Sequence, residues 1–592
     1  MEKYTNIPAL SRNQFRDTML VLINAELADS ICGVIDGVMV GRFLGENAMA
    51  AHGIATPIFL ILIIFSYIVT VGFQQPCTVA IGRGKTRRAN GMYSFTMLFT
   101  LTCSLLFALV GVLFPHELAR LMGAPASGEI HQMTADYLSA ISLGTPSLLM
   151  FLALIPALQI DGRRKLVIIG SLVMCVSDIV IDLLNVLVFH GGMWGIGMAT
   201  TISYTLGLLV LLSYLFSKDR FFRFRYKDMA LVNVRRMLGM GLPSGIRVGT
   251  SAVATVLIST LVMGTLGASA MSSLAVQRNL QSLLLSLATG ISGATLLLTG
   301  ISYGEQDRRG LMDVGRMSAY ATMLVSGGVG LLVFLLANPL VSLYISRMDA
   351  SFLYAVHAVR WLAVSLPLIT WNHCLGSYLQ GVEHLGWAMM VYISSELVFL
   401  VLCAFVMRWI WGLEGVFASF AVSQLLVILV FNLEAYLRRD KRYKGMEAYV
   451  FVPKEFGVSP ENRLERTMCR QEEVWALAEQ AQTFCLDRGV SADKAYKVSL
   501  YIEEMGNIIF TYGFNDGKPH HLEVRLSLSK QEIIIRFRDD CRRFDIKERA
   551  SHWKEEDPAH PEFTLGVRMV MAACKMLKYN NSLNFNNLMV VL

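Results

Sequence analysis

The stretch Ile31-Cys32-Gly33-Val34-Ile35-Asp36-Gly37-Val38-Met39-Val40-Gly41 is apolar from end to end except for one carboxylate. It belongs to a run opening near residue 17, long enough to cross a bilayer as a helix. A charged side chain at the centre of a membrane costs roughly 2.5–3.5 kcal/mol on insertion scales. A chain that keeps Asp36 there must solvate it in a cavity, protonate it, or give it a cation. Each of these is a chemistry of transport. The structural alternative is an aspartate tied to neighbouring backbone groups.

The rest of the chain fits a membrane reading. Its 592 residues are 54% hydrophobic and only 16% charged, with a mean hydropathy of +0.50. A soluble chain carries about 25% charged residues. The deficit falls in many apolar runs of spanning length, which indicates a polytopic membrane protein in a lipid bilayer. From about residue 455 the sequence turns polar and mixed, so a soluble domain follows. The net charge of +7 concentrates in short loops between apolar runs. Membrane topology explains that pattern better than nucleic-acid binding does. The ten cysteines form no C-x-x-C and no Cys/His cluster, and so read as small apolar residues or free thiols. Lys3, Arg12 and Arg16 precede the first run without an A-x-A-like cleavage site, so that run is expected to stay as a helix.

Hydropathy predicts twelve spans, from about 17–41 to about 386–408 and 411–437. Pro57, Pro76, Pro243 and Pro367 are candidate kink points. Loops after even-numbered spans carry Arg83, Lys85, Arg87 and Arg88, then Arg163, Arg164 and Lys165, then Lys218 through Arg236, then Arg308 and Arg309. Arg438, Arg439, Lys441, Arg442 and Lys444 follow the last span. The opposite loops are short and poor in positive charge. The positive-inside rule therefore puts both termini and the soluble domain in the cytoplasm, with the chain in the plasma membrane.

The chain also repeats itself. Gly41…Gly45…Ala48-Met49-Ala50 is echoed by Gly264…Gly267…Ala270-Met271-Ser272. Leu158-Gln159 is echoed by Leu379-Gln380, and Trp194-Gly195-Ile196-Gly197 by Trp411-Gly412-Leu413-Glu414-Gly415. Six spans separate each pair, so the halves share an orientation and a cleft between them is the expected substrate path.

These residues carry a family resemblance. Asp36-x4-Gly41-x3-Gly45-x2-Ala48-x-Ala50-Ala51 resembles the multidrug and toxic compound extrusion (MATE) family. So do Leu158-Gln159-x-Asp161-Gly162-Arg163 and Asp182…Gly195-x-Gly197-x-Ala199-Thr200-Thr201. The resemblance covers about residues 10–440. It implies an all-α membrane part of twelve helices in two six-helix lobes, 1–222 and 223–440. It further implies a secondary antiporter, not an enzyme, that exports cationic or amphipathic drugs and toxins in exchange for H⁺ or Na⁺. By the same resemblance Asp36 and Asp182 are acidic coupling residues, Asp178 stands where many relatives have Asn, and Thr200 lines the N-lobe pocket.

The residues themselves add to this. Asp178 and Asp182 are spaced i,i+4 and share a helix face, and Asn185, one turn on, could donate to Asp182. Close carboxylates cannot all ionise in a dry site, which suits proton capture. With hydroxyl and carbonyl oxygens they would equally suit a small hard cation. Glu396, mid-way along the eleventh span, is a candidate substrate-path residue or a partner of a neighbouring helix. Arg247 is expected to snorkel from the cytoplasmic end of the seventh span. The 31 methionines read mainly as helix packing, with an adaptable drug-binding lining as the alternative.

Residues 441–462 read as a linker, and 463–592 as an α+β two-layer sandwich. Helices are expected at about 468–488 and 491–512, then a hairpin from Leu522–Leu528 and Glu532–Asp539 around Ser529-Lys530. A helix near 565–577 and two strands close it. Glu503-Glu504-Met505-Gly506-Asn507, Arg538 through Asp545, and Thr564-Leu565-Gly566-Val567 resemble the histidine-kinase-like ATPase fold, nearest the anti-sigma-factor serine kinases. That resemblance implies Mg-ATP, with Asn507 on Mg²⁺, Glu503 as the catalytic activator, Asp539 reading adenine and Gly566 cradling phosphate. Cys541 stands where that pattern has the glycine of D-x-G, and its side chain would crowd the adenine.

The expected partners are therefore a small-molecule substrate, the bilayer and a cytoplasmic protein at the tail, with the chain a monomer. Two other classes of function have different requirements. A membrane-anchored sensor would signal through an intact kinase-like tail. A lipid-precursor flippase would need a strongly cationic cavity, whereas the basic residues here lie in loops. No G-x4-GK[ST] loop supports an ATP-driven pump.

Overall fold

The computed structural model describes residues 8–217, 220–349, 351–437, 451–453, 456–515, 517–529, 532–543, 545 and 561–592. Side chains at 9, 231, 265–269, 435–436 and 561–565 lie outside this description. So do the expected basic run 438–444 and parts of the hairpin turn and of the segment Arg538 through Asp545.

Eleven helical segments are long and apolar enough to cross a membrane. They are Leu10–Leu44, Glu46–Gly82, Thr86–Leu113, Glu129–Ile160, Arg164–Phe189 and Gly192–Phe216, then Val234–Gly264, Ala270–Gly304, Arg308–Leu335, Phe352–Gly381 and Leu385–Glu434. They are called the first to eleventh spans. The sequence suggested twelve. The difference lies in the last segment, which runs for 50 residues, more than twice the ~20 a crossing needs. It is broken at Gly412, whose φ of 59° and ψ of −133° only glycine adopts without strain.

Several spans carry a wide π turn, in which one extra residue loosens the helix. These turns lie next to in-membrane polar residues. Val40–Leu44 follows Asp36, Asn185–Phe189 follows Asp182, and Ser394–Val398 contains Glu396. Between the second and seventh spans the backbones nearly touch. A Cβ on Gly241 would lie 1.9 Å from the carbonyl oxygen of Ile68, so no larger residue fits there.

The tail is a five-stranded antiparallel sheet in the order β1-β2-β3-β5-β4. The strands are β1 (Arg463–Met468), β2 (Leu522–Leu528), β3 (Ile533–Asp539), β4 (Met576–Ser582) and β5 (Phe585–Val591). Helices Glu472–Leu486, Ala492–Ile508 and Pro561–Ala573 accompany the sheet. Val524, Leu526, Ile535 and Phe537 share one apolar core with Leu477, Ile502, Met505 and Val567. Strand β1 was not read from the sequence, because Arg463-Leu-Glu-Arg-Thr-Met468 lacks an apolar alternation. The opposite sheet face, bearing Arg463, Glu465, Glu523, Arg525, Arg536 and Arg538, is not left to solvent. It packs on the ends of the membrane spans, where Leu583 N donates to Ile160 O at 2.8 Å. A third layer thus joins the expected two.

Candidate functional site

Asp36 in the first span meets Asp178 and Asp182 of the fifth. Carboxylate oxygens of the three lie within 4.8 Å of one another. The i,i+4 spacing of the second pair turns both toward the first span. Ser203 Oγ in the sixth span donates to Asp178 at 2.7 Å. Among the described residues, no donor reaches Asp36 Oδ1 or either oxygen of Asp182, all of them buried. No lysine or arginine among them forms an ion pair with the three. A buried carboxylate without a donor is costly, so the cluster calls for a proton or a small cation among its oxygens. An all-oxygen set of this kind suits a hard ion.

Beside the cluster lies a cavity of about 340 Å³, in the range of small-molecule sites. Asp36, Asp178 and Thr200 stand on its wall with Asp29, and Tyr67 and Tyr392 supply aromatic faces. The Tyr204 hydroxyl donates to Asp29. Spans from both halves of the chain contribute, including the seventh and eighth through Ser244, Arg247 and Leu296. Among the described residues, Met174 is the one methionine on the wall.

Three expectations need correction. Asn185 does not serve Asp182; its Oδ1 accepts from Gly191 N at 3.1 Å and its Nδ2 donates to Gly192 O at 3.2 Å, tying down the turn after the fifth span. Arg247 does not snorkel. The seventh span begins at Val234, which puts Arg247 near its middle, with its guanidinium 5.3 Å from the Tyr67 ring and 6.0 Å from Tyr392. Glu396 is engaged by His373 Nε2 of the tenth span at 2.7 Å, the neighbouring-helix pairing rather than an open place on the cavity wall.

A family model, MatE, matches residues 22–184 and 243–405, together more than half of the chain. The chain belongs to the MatE family. One matched block lies within each half of the internal repeat. Similar proteins include the "Probable multidrug resistance protein YoeA" of Bacillus subtilis, 23% identical over 69% of this chain and 91% of its own length. Another is the multidrug export protein MepA of Staphylococcus haemolyticus, 23% identical over 71% of this chain and 94% of its own. Among solved structures, an outward-facing multidrug resistance MATE transporter of the MOP superfamily superposes with a TM-score of 0.68 at 19% identity. It covers 72% of this chain and 96% of that one. A MOP superfamily transporter from Pyrococcus furiosus gives 0.66 with the same coverage. The MatE part of the chain is thus a multi-pass membrane transporter rather than an enzyme.

The MatE match ends before the tail, where the second constellation lies. Asp539 is buried and accepts from Asn586 Nδ2 at 2.8 Å and from Cys541 N at 3.2 Å. Burial pushes its carboxyl up to about 6. Asn507 Oδ1 accepts from Gln471 at 3.2 Å. A Cβ on Gly566 would lie 1.8 Å from a carboxylate oxygen of Glu504, the mobile end of a side chain on the neighbouring helix. Glu503 lies half-buried, one turn before Asn507 on the same helix.

The tail's polar sheet face, by contrast, closes on Glu305 and Asp307, between the eighth and ninth spans. Arg538 lies 2.8 Å and Arg525 3.2 Å from Glu305, and Arg525 lies 2.7 Å from Asp307. Arg463 joins Asp307 as well. Burial alone would raise both carboxyls. The arginines outweigh it and hold Glu305 below its ordinary range and Asp307 well below it. Asp307 Oδ1 also caps the ninth span, accepting from Gly310 N at 2.9 Å. These residues were missed in the sequence because alternating charges on β2 and β3 read as a solvent face.

Proposed function

We propose that this MatE chain is a secondary antiporter that exports cationic or amphipathic small molecules in exchange for H⁺ or Na⁺. The observation that carries this reading is the trio Asp36, Asp178 and Asp182, buried without basic partners beside a cavity walled by both halves. A cation entering the trio neutralises it, and a positively charged substrate on the same wall competes with that cation. Mutual exclusion of the two is antiport. The MatE relatives described as multidrug export and resistance proteins support the substrate class. On this reading the chain is a monomer of twelve helices in two lobes. The positive-inside bias sets both termini in the cytoplasm.

The tail acts as a regulatory domain docked on its own transporter rather than as a kinase. Its sheet reaches the N-lobe through Ile160 and Gly82, and the C-lobe through Glu305 and Asp307. A domain bound to both lobes resists the lobe movement that alternating access needs. The engagement of Asp539 by Asn586 gives no support to a Mg-ATP pocket at Asn507, Asp539 and Gly566. Fluorescent-dye efflux in a pump-deficient bacterial host tests the transport reading. The full chain lowers retained dye, and Asp36→Asn retains as much as the empty vector. Efflux by Asp36→Asn equal to the wild type would refute it.

A further inference from the structure

The interface between the tail and the spans has two halves of opposite electrostatic character. On the Glu305 side the arginines of the sheet meet carboxylates. On the other side lies a cleft of about 830 Å³ between the loop joining the fourth and fifth spans and the tail. Arg163, Arg164 and Lys165 stand on its membrane wall, and Lys518, Arg542 and Arg543 on its tail wall. Among the described residues that line it, the carboxylates are Asp161 and Asp540. Asp161 accepts from Phe221 N at 3.1 Å, and Asp540 is taken by His520 at 3.1 Å and His521 N at 2.9 Å. Arg164 is committed to Asp17 at 2.6 Å and to Leu583 O at 2.9 Å. Asp161 lies near Arg163 and Arg543 and offsets part of the positive charge. Basic side chains still outnumber acidic ones on the two described walls. An excess of like charge across a gap weakens docking unless a further anion lies between.

The cleft also opens toward lipid. Leu166 and Ile169 of the fifth span form part of its wall. Ile169 begins an exposed stripe that continues through Leu172, Val176 and Val180, spaced three and four residues apart on one helix face. A ligand with a phosphate at one end and hydrocarbon at the other matches both surfaces. Basic pockets on the cytoplasmic side of membrane helices suit such headgroups.

We propose that this cleft binds the phosphate of an anionic phospholipid, which bridges the fifth-span loop and the tail and completes the docked interface. The chemistry shared with soluble phosphates is the phosphate itself; the apolar stripe assigns the source to lipid.

Native mass spectrometry of the full-length protein in phosphatidylcholine nanodiscs, titrated with phosphatidylglycerol or cardiolipin, tests this. The wild type retains the anionic lipid. The double variant Arg542→Glu/Arg543→Glu, altered at two exposed positions, loses about tenfold or more in retention. Lys165→Glu, on the opposite wall, loses retention in the same direction. A control pair, Lys227→Glu/Arg235→Glu, alters exposed basic residues outside the cleft and keeps wild-type retention. Equal loss in the control pair means general surface attraction and overturns the proposal, as does unchanged retention in the cleft variants. In a second arm, ATP or tripolyphosphate is added in phosphatidylcholine alone. Cleft-dependent binding there without lipid retention overturns the lipid source, and absence of such binding supports it.

Discussion

Two groups of buried acids in this chain meet opposite fates. Glu305 and Asp307 are each answered by arginines at 2.7–3.2 Å. Asp36, Asp178 and Asp182 lie inside the membrane part with one serine donor and buried oxygens left over. The first arrangement is permanent, since an arginine on a strand cannot leave without unmaking the interface. The second stays open to an ion that arrives and departs. Burial alone thus does not mark a transport carboxylate; the nature of the partner does. Retention of costly charge has different reasons in the two places.

The largest effect that separates them is expected at Asp182. Asp182→Asn removes an uncompensated buried charge, so transport falls to background while the unfolding temperature of the purified protein holds or rises. A fall of many degrees with transport intact would make the trio structural, like its counterpart at the interface. Asp307→Asn should do the reverse. It keeps the cap on Gly310 but takes one of several carboxylates from Arg525 and Arg463, which retain Glu305, Glu523 and Glu465. Docking therefore weakens by about 1.5–3 kcal/mol. Hydrogen exchange in β1 and β2 then rises and dye efflux persists. Unchanged protection would remove Asp307 from the docking account.

Acidity gives a smaller and more gradual effect. Glu305 and Asp307 are held below their ordinary values of 4.5 and 3.8. A carboxyl lowered in the docked state stabilises docking at all pH above its ordinary value. That contribution fades as pH falls through the ordinary value toward the docked one. The share of tail-sheet protection that Glu305 and Asp307 supply is therefore flat from about pH 8 to about pH 5 and declines below about pH 4. Release of the tail between pH 8 and pH 6 would put the clamp on other groups.

Much of this contrast was legible in the sequence, and unevenly so. One aspartate in an apolar run has no cheap soluble explanation, and i,i+4 spacing gives a shared face without any coordinates. Asp36, Asp178 and Asp182 were therefore read together correctly, as were the repeat and the hairpin strands of the tail. Depth within a span was harder. The sequence put Arg247 near the cytoplasmic end of the seventh span, whereas the helix starts at Val234 and holds it beside Tyr67 and Tyr392. The break at Gly412 falls beside the expected boundary between the last two spans, where two helices meet across a kink. The sheet face of β2 and β3 alternates apolar and charged residues, as any solvent-facing strand does. Only tertiary contact reveals that its arginines meet Glu305 and Asp307.

The central claim is that the N-lobe trio exchanges a cation for substrate. Purified protein in proteoliposomes tests it most directly, with uptake of a fluorescent organic cation driven by an imposed outward gradient of H⁺ or Na⁺. The wild type accumulates the cation under at least one gradient, and Asp36→Asn falls to the level of protein-free vesicles under both. Accumulation by Asp36→Asn at the wild-type rate would contradict the account.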